Sequence, residues 1–204
     1  MNAGGTMRVT CLGDSICYGY GVWPDKAWVS LLAATLKQHC PECSVCNAGV
    51  NGETAGEGLF RLPSLLKPAP DLVYVQFGLN DAGQHVPVEQ YLGNMREIVY
   101  QALGSGVQSL IVSTNHVVCV TEEQQLYGGR DFRECVRRYN TCLRDALAMP
   151  PERLKLVDME ALFEKAGDEE QARLLQYDGV HLSERGNIFY ARWLEPVFRQ
   201  CLPF

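Results

Sequence analysis

Met7-Arg8-Val9-Thr10-Cys11-Leu12-Gly13-Asp14-Ser15 is a short apolar run that stops at a glycine and is soon followed by Gly19 and Gly21. A β-rich run ending in Gly, ahead of a helical pattern, reads as a strand entering a tight turn. In an open α/β sheet the carboxyl end of a strand is where ligands bind. Gly13 lets the backbone bend without a Cβ clash, which puts Ser15 at the mouth of a crevice. A Ser hydroxyl is a weak nucleophile until a base takes its proton. On its own the stretch also fits a loop Ser that caps a helix. The rest of the chain must therefore supply a base, a group to orient it and donors for an oxyanion.

Outward from this turn, strand-like and helix-like patterns alternate. Trp28, Leu31, Leu32, Thr35 and Leu36 recur at helical spacing after the start signal Pro24-Asp25. A short strand around Ser44–Asn47 and a helical stretch from Ala55 to Leu66 follow, with Pro63 predicting a kink or restart. After the turn Pro68-Ala69-Pro70, Leu72–Phe77 reads as a buried strand. Val88, Tyr91, Leu92, Met95, Val99 and Leu103 mark a helix that Gly104 ends. Gln108–Ser113 is a fourth strand, and a long loop from Thr114 to about Gly129 leads to a helix marked by Phe132, Val136, Tyr139, Leu143 and Leu147. Leu154–Val157 is a fifth strand, and Ser183 caps a last helix whose C-terminal part Pro196 should interrupt. Strands alternating with helices imply βαβ units, a parallel sheet and a three-layer α/β/α sandwich. We expect one domain over residues 7–204, with residues 1–6 as a flexible tail.

Composition narrows the function. The chain has 204 residues, 47% of them hydrophobic and 21% charged, as in an ordinary water-soluble domain. A net charge of −6 argues against nucleic acid, whose readers need a basic face. No apolar run approaches the ~18 residues of a membrane span, so no stable membrane association is expected. The first six residues lack the basic-then-apolar pattern of a secretory signal, which points to the cytoplasm. Nine cysteines, an odd number, read as reduced thiols. Cys40, Cys43 and Cys46 cluster, but a metal or iron–sulfur site needs a fourth ligand that the adjacent His39 is badly placed to provide. The cluster reads better as a loop entering a strand, with Cys46 as a small buried apolar residue.

The chemistry sits in the loops after the strands. Asn47-Ala48-Gly49-Val50-Asn51-Gly52-Glu53-Thr54 has glycines that could expose a backbone N–H to a substrate oxygen, or simply serve a turn with positive φ. In Gly78-Leu79-Asn80-Asp81, Asn80 can donate its side-chain amide to an oxyanion, or form an Asx turn at a helix start. Asp178-Gly179-Val180-His181 puts a carboxylate three residues before an imidazole, close enough to reach Nδ1 and leave Nε2 as the base. His85 and His116 follow strands three and four and could line the crevice. Cys17 and Cys119 lack a base and orienter at comparable spacing. Asp14, His116 and Val117 are the candidate substrate contacts.

These four stretches, in this order, resemble the SGNH/GDSL hydrolase family, whose pattern is Gly-Asp-Ser, a Gly block, Gly-x-Asn-Asp and a late Asp-x-x-His. The resemblance covers roughly residues 7–200. It implies a five-stranded parallel sheet in the flavodoxin-like order 2-1-3-4-5. It also implies Ser15 as nucleophile, His181 as base and Asp178 as its orienter, with oxyanion donors at the Ser15 and Gly52 amides and the Asn80 side chain. Ile16-Cys17 departs from the family's usual Leu-Thr or Leu-Ser. The implied activity is hydrolysis of a small-molecule acyl ester or thioester through an acyl-enzyme, with no metal or organic cofactor. Acyl transfer to an alcohol, or O-acetyl esterase action on a carbohydrate, would use the same residues. A non-catalytic binding module fits such an intact set poorly. Short acyl chains are expected, because the apolar helix stripes look committed to the sheet and leave no spare basic amphipathic element for a lipid surface. The loop from Thr114 to Gly129, with its apolar cluster Val117–Val120 and then the polar run Thr121–Gln125, could wall a small pocket but offers little surface for a long chain. The oligomeric state is left open.

Overall fold

The computed structural model describes residues 6–120 and 132–202. Its centre is a sheet of five parallel strands in the order β2-β1-β3-β4-β5. They are β1 (Arg8–Gly13), β2 (Ser44–Gly49), β3 (Leu72–Gln76), β4 (Ser109–Ser113) and β5 (Leu154–Val157). Every residue of β3 is buried, as a central strand covered on both faces requires, whereas the edge strand β2 is largely open. The expectation for Cys46 is corrected here: it lies exposed on that edge, and Cys43 is the thiol that goes inside. All nine cysteines are unpaired.

Two helix layers cover the sheet. On one side α2 (Trp28–His39) packs on α9 (Glu184–Cys201). On the other, α3 (Ala55–Leu65) packs on α5 (Val88–Gly104), which meets α6 (Phe132–Ala146). Short helices α1 (Ser15–Tyr18), α4 (Leu79–Gly83), α7 (Met159–Glu164) and α8 (Asp168–Leu174) lie between strands and long helices. The chain pattern did not single out α7 and α8, which are too short to build a clear apolar stripe. Neither Pro63 nor Pro196 interrupts its helix. Both are exposed, so the carbonyls they leave without an amide can turn to water. The run Thr121–Gln125 and Gly129 lie outside the described residues. Among the described residues no helix is long and apolar enough to cross a membrane.

Trp28 ties the layers together. It is fully buried, its ring meets Tyr74 edge-on at 5.1 Å, and its indole N–H donates to the Ile16 carbonyl at 2.9 Å. Its backbone amide donates to Asn187 Oδ1 at 2.8 Å, so a side chain of α9 closes the start of α2, which has no cap of its own. Asn187 Nδ2 in turn donates to the Leu182 and Ser183 carbonyls at 3.3 and 3.0 Å. Asn187→Ala should therefore strand a buried amide and cost about 2–3 kcal/mol of stability. Urea denaturation would check this; a loss below about 0.5 kcal/mol, the range of neutral surface changes, would show the link to be incidental.

Candidate active site

Ser15 is the first residue of α1, directly beyond the end of β1, where the order 2-1-3 places the loops after β2 and β3 on its two flanks. Asp14 caps α1, its Oδ1 accepting the Ile16 amide at 2.9 Å. Gly49 must be glycine, since a Cβ there would lie 2.2 Å from the Tyr18 nitrogen. The Ser15 hydroxyl is 2.9 Å from His181 Nε2, and His181 Nδ1 is 2.6 Å from Asp178 Oδ2. The structure thus joins three residues from opposite ends of the chain into one hydrogen-bonded line.

Asp178 is held firmly in place. Its Oδ1 accepts the amides of Val180 and His181, each at 2.9 Å. Partial burial pushes the carboxyl's pKa up, but the bonds from the His181 ring and these two amides outweigh it and leave the group below its usual range. Gly179 has φ 69°, and a Cβ there would sit 2.2 Å from the Cys119 carbonyl oxygen, so this turn admits only glycine. Tyr20, which the sequence reading passed over, lays its ring 4.4 Å from the His181 imidazole at 39°. Gln176 holds that segment by donating to the Tyr20 carbonyl at 2.7 Å and to the Leu182 carbonyl at 2.9 Å.

On one flank Gly52 has φ 80°, and its carbonyl accepts from Gln84 Nε2 at 3.2 Å. Asn80, in α4, donates from Nδ2 to the Glu53 carbonyl at 2.9 Å, which fixes its amide beside the Gly52 turn and leaves that nitrogen a second hydrogen. Asp81 completes the clamp: both its oxygens accept the Ala55 amide, at 3.2 and 3.0 Å, at the start of α3. Burial outweighs those bonds and raises Asp81 to about 6.

Asp14, His116 and Val117, expected as substrate contacts, are enclosed behind the crevice, with exposures of 0%, 0% and 2%. The physical reason is that all three continue from strand ends inside the helix layers. His116 joins a buried relay. Tyr74 donates to Gln76 Oε1 at 3.2 Å, and Gln76 Nε2 donates to the Tyr190 oxygen at 3.1 Å. His116 Nε2 lies 2.7 Å from the Val180 carbonyl, which can only accept, so Nε2 carries the proton. Nδ1 then accepts from the Tyr190 hydroxyl at 2.8 Å. Burial lowers His116 to about 4, which keeps the ring neutral as this relay demands. Gln76, a polar residue in an otherwise apolar strand, was the available sequence signal. His85 follows α4 with φ 56°, and His39 ends α2, 3.8 Å from Glu195.

With this geometry in place the comparisons are specific. Residues 11–187 match the GDSL-like lipase/acylhydrolase family, and the chain belongs to it. An arylesterase of Vibrio mimicus is 34% identical over 106 residues, 52% of this chain and 53% of that protein. The chain therefore spans about half the length of that relative. Thioesterase 1/protease 1/lysophospholipase L1 of Escherichia coli is 29% identical over 185 residues, 90% of this chain and 79% of that protein. The lipase/acylhydrolase structure from Enterococcus faecalis superposes with a TM-score of 0.79 at 22% identity, covering 97% of each chain, a likeness of fold.

Asp14 gives a test of the buried electrostatics. Burial first, then the charges of Asp81 and Glu53, raise it to about 7, and its Oδ2 has no partner among the described residues. A folded pKa above the unfolded ~3.9 means stability is complete below about pH 4 and is lost as pH rises through about 7. Asp14→Asn keeps the cap oxygen but does not ionise. It should flatten the decline in unfolding free energy between about pH 4 and 7, measured by urea melts against the parent. Parallel curves would show that Asp14 does not titrate in that window.

Proposed function

We propose that the chain is a serine esterase or acylhydrolase working through Ser15, His181 and Asp178. The observation that carries this is the unbroken line from the Ser15 hydroxyl to His181 Nε2 at 2.9 Å and from Nδ1 to Asp178 at 2.6 Å. Ser15 Oγ attacks the acyl carbonyl while His181 Nε2 takes its proton. Asp178 holds the Nδ1–H tautomer and stabilises the imidazolium that forms. The oxyanion is met by the Ser15 and Gly52 amides and the second hydrogen of Asn80 Nδ2. His181 then protonates the leaving alcohol or thiol, and water, activated by the same imidazole, releases the acid. An alcohol in place of water would give acyl transfer, and an acetylated sugar would enter as an ordinary ester. Product analysis with and without an alcohol acceptor separates these reactions.

Ser15→Ala should remove nearly all turnover of an aryl ester and all labelling by a fluorophosphonate while the fold persists. Asn80→Ala should lower kcat by about 10²- to 10³-fold with little change in KM, as loss of an oxyanion donor does. Activity of Ser15→Ala beyond a few per cent of the parent, or an Asn80→Ala effect confined to KM, would refute these roles.

Short acyl groups are the preferred substrates in this reading. The support for this reading is that Tyr20 lies against one side of His181 and that Asp14, His116 and Val117 behind Ser15 are buried. kcat/KM across aryl esters should peak between acetyl and hexanoyl; a maximum at dodecanoyl or beyond would overturn the preference.

A further inference from the structure

One helix face contradicts the expectation that every apolar stripe is committed to the sheet. On α9, Arg185, Ile188, Phe189, Arg192 and Trp193 recur at i, i+3, i+4, i+7 and i+8, so they share one side of the helix. Together with Glu170 and Leu174 of α8 they line a cavity of about 420 Å³. Ile188 and Trp193 remain 43% and 39% exposed. This cavity is built from α8 and α9 and includes none of the residues assigned to catalysis.

We infer that this groove is a binding site for a small amphipathic carboxylate, an apolar body bearing one anionic group. The size favours a small molecule, since pockets for such ligands run from roughly 300 to 1,000 Å³. The walls supply apolar contact on a fixed surface. Trp193 lies against Phe189 at 5.6 Å, and Phe189 stands edge-on to the fully buried Phe163 at 5.2 Å. The aromatic wall is therefore anchored in the core, which limits what binding must order. The charge is set by two arginines and one glutamate. Arg185 Nε is already satisfied by Glu170 at 2.7 Å, whereas Arg192 has no acidic partner among the described residues. One guanidinium is thus left for a carboxylate, which its planar fork matches in a bidentate manner. A cation would meet Arg192, and a neutral body would leave it uncompensated.

The test is a titration of the full chain with sodium octanoate, read at the Trp193 indole N–H resonance and assigned with Trp193→Phe. Trp28 and Trp23, the other two tryptophans, lie outside the groove and serve as internal controls. The expected result is a saturable shift of Trp193 by octanoate, weaker with octanol and absent with octylammonium. Arg192→Gln, an exposed position, should weaken octanoate by about two- to fivefold, the worth of an exposed charge pair. The inference is overturned if Trp193 does not respond, if octanol and octanoate act alike, or if Arg192→Gln leaves the affinity unchanged. It is equally overturned if Trp193 responds only to protein concentration, which would make the groove a contact between copies, or only to anionic vesicles, which would make it a membrane surface.

Discussion

The rule that a buried polar group must find a partner organises this molecule more than any single apolar contact does. Gln76 ends the central strand with an amide that has no access to water. Tyr190, from the last helix, meets it, and His116 accepts from Tyr190 and donates to the Val180 carbonyl. Each member has only one arrangement of protons that satisfies the next. The relay therefore fixes the position of the segment carrying His181 relative to the sheet carrying Ser15. The bond from the Cys119 amide to the Gly179 carbonyl at 2.7 Å repeats the attachment one residue earlier. Asn115 and Asn140 lock the same strand end from the other layer through reciprocal bonds at 2.9 and 3.0 Å.

Charge is distributed around Ser15 with equal care. Burial raises the carboxyls of both Asp14 and Asp81, and the charge of Asp81 raises Asp14 further. Glu53 is paired instead: Arg61 binds it at 2.6 Å while also donating to the Gly13 carbonyl at 3.3 Å. An anion at Asp14 would make the potential around Ser15 more negative. Keeping these carboxyls neutral over much of the acid range while Arg61 neutralises Glu53 limits the negative charge around Ser15.

How much of this was legible in the chain follows from what periodicity and spacing can carry. The five strands and five long helices show up because the strands are short β-rich runs, continuous where both faces are covered, and the helices carry apolar residues at period 3.6; their alternation fixes a parallel sheet. The Asp178 to His181 geometry is legible because both partners lie in one turn. The role of Asp81 in clamping Ala55 is not, because it depends on two loops meeting across the sheet end. His116 and Asp14 illustrate the opposite error: position after a strand gives proximity to the crevice, but burial decides which side of its wall a side chain occupies. The prolines misled for a related reason, since their cost depends on whether the lost bond faces water.

Asn187 and Trp28 have a further consequence for the order of assembly. Ile16, beside Ser15, is tied to Trp28, and Trp28 is tied to a residue 159 positions later. The sheet can begin to form from its first strands, and the Asp14 cap and the Asn47 bond to the Cys17 carbonyl can hold the turn bearing Ser15. The start of α2, however, lacks its partner until the last helix docks. During synthesis the emerging chain passes through most of its length before Asn187 exists to close the start of α2. Such long-range closure slows folding, and it leaves the Trp28 amide to water until the last helix has been made.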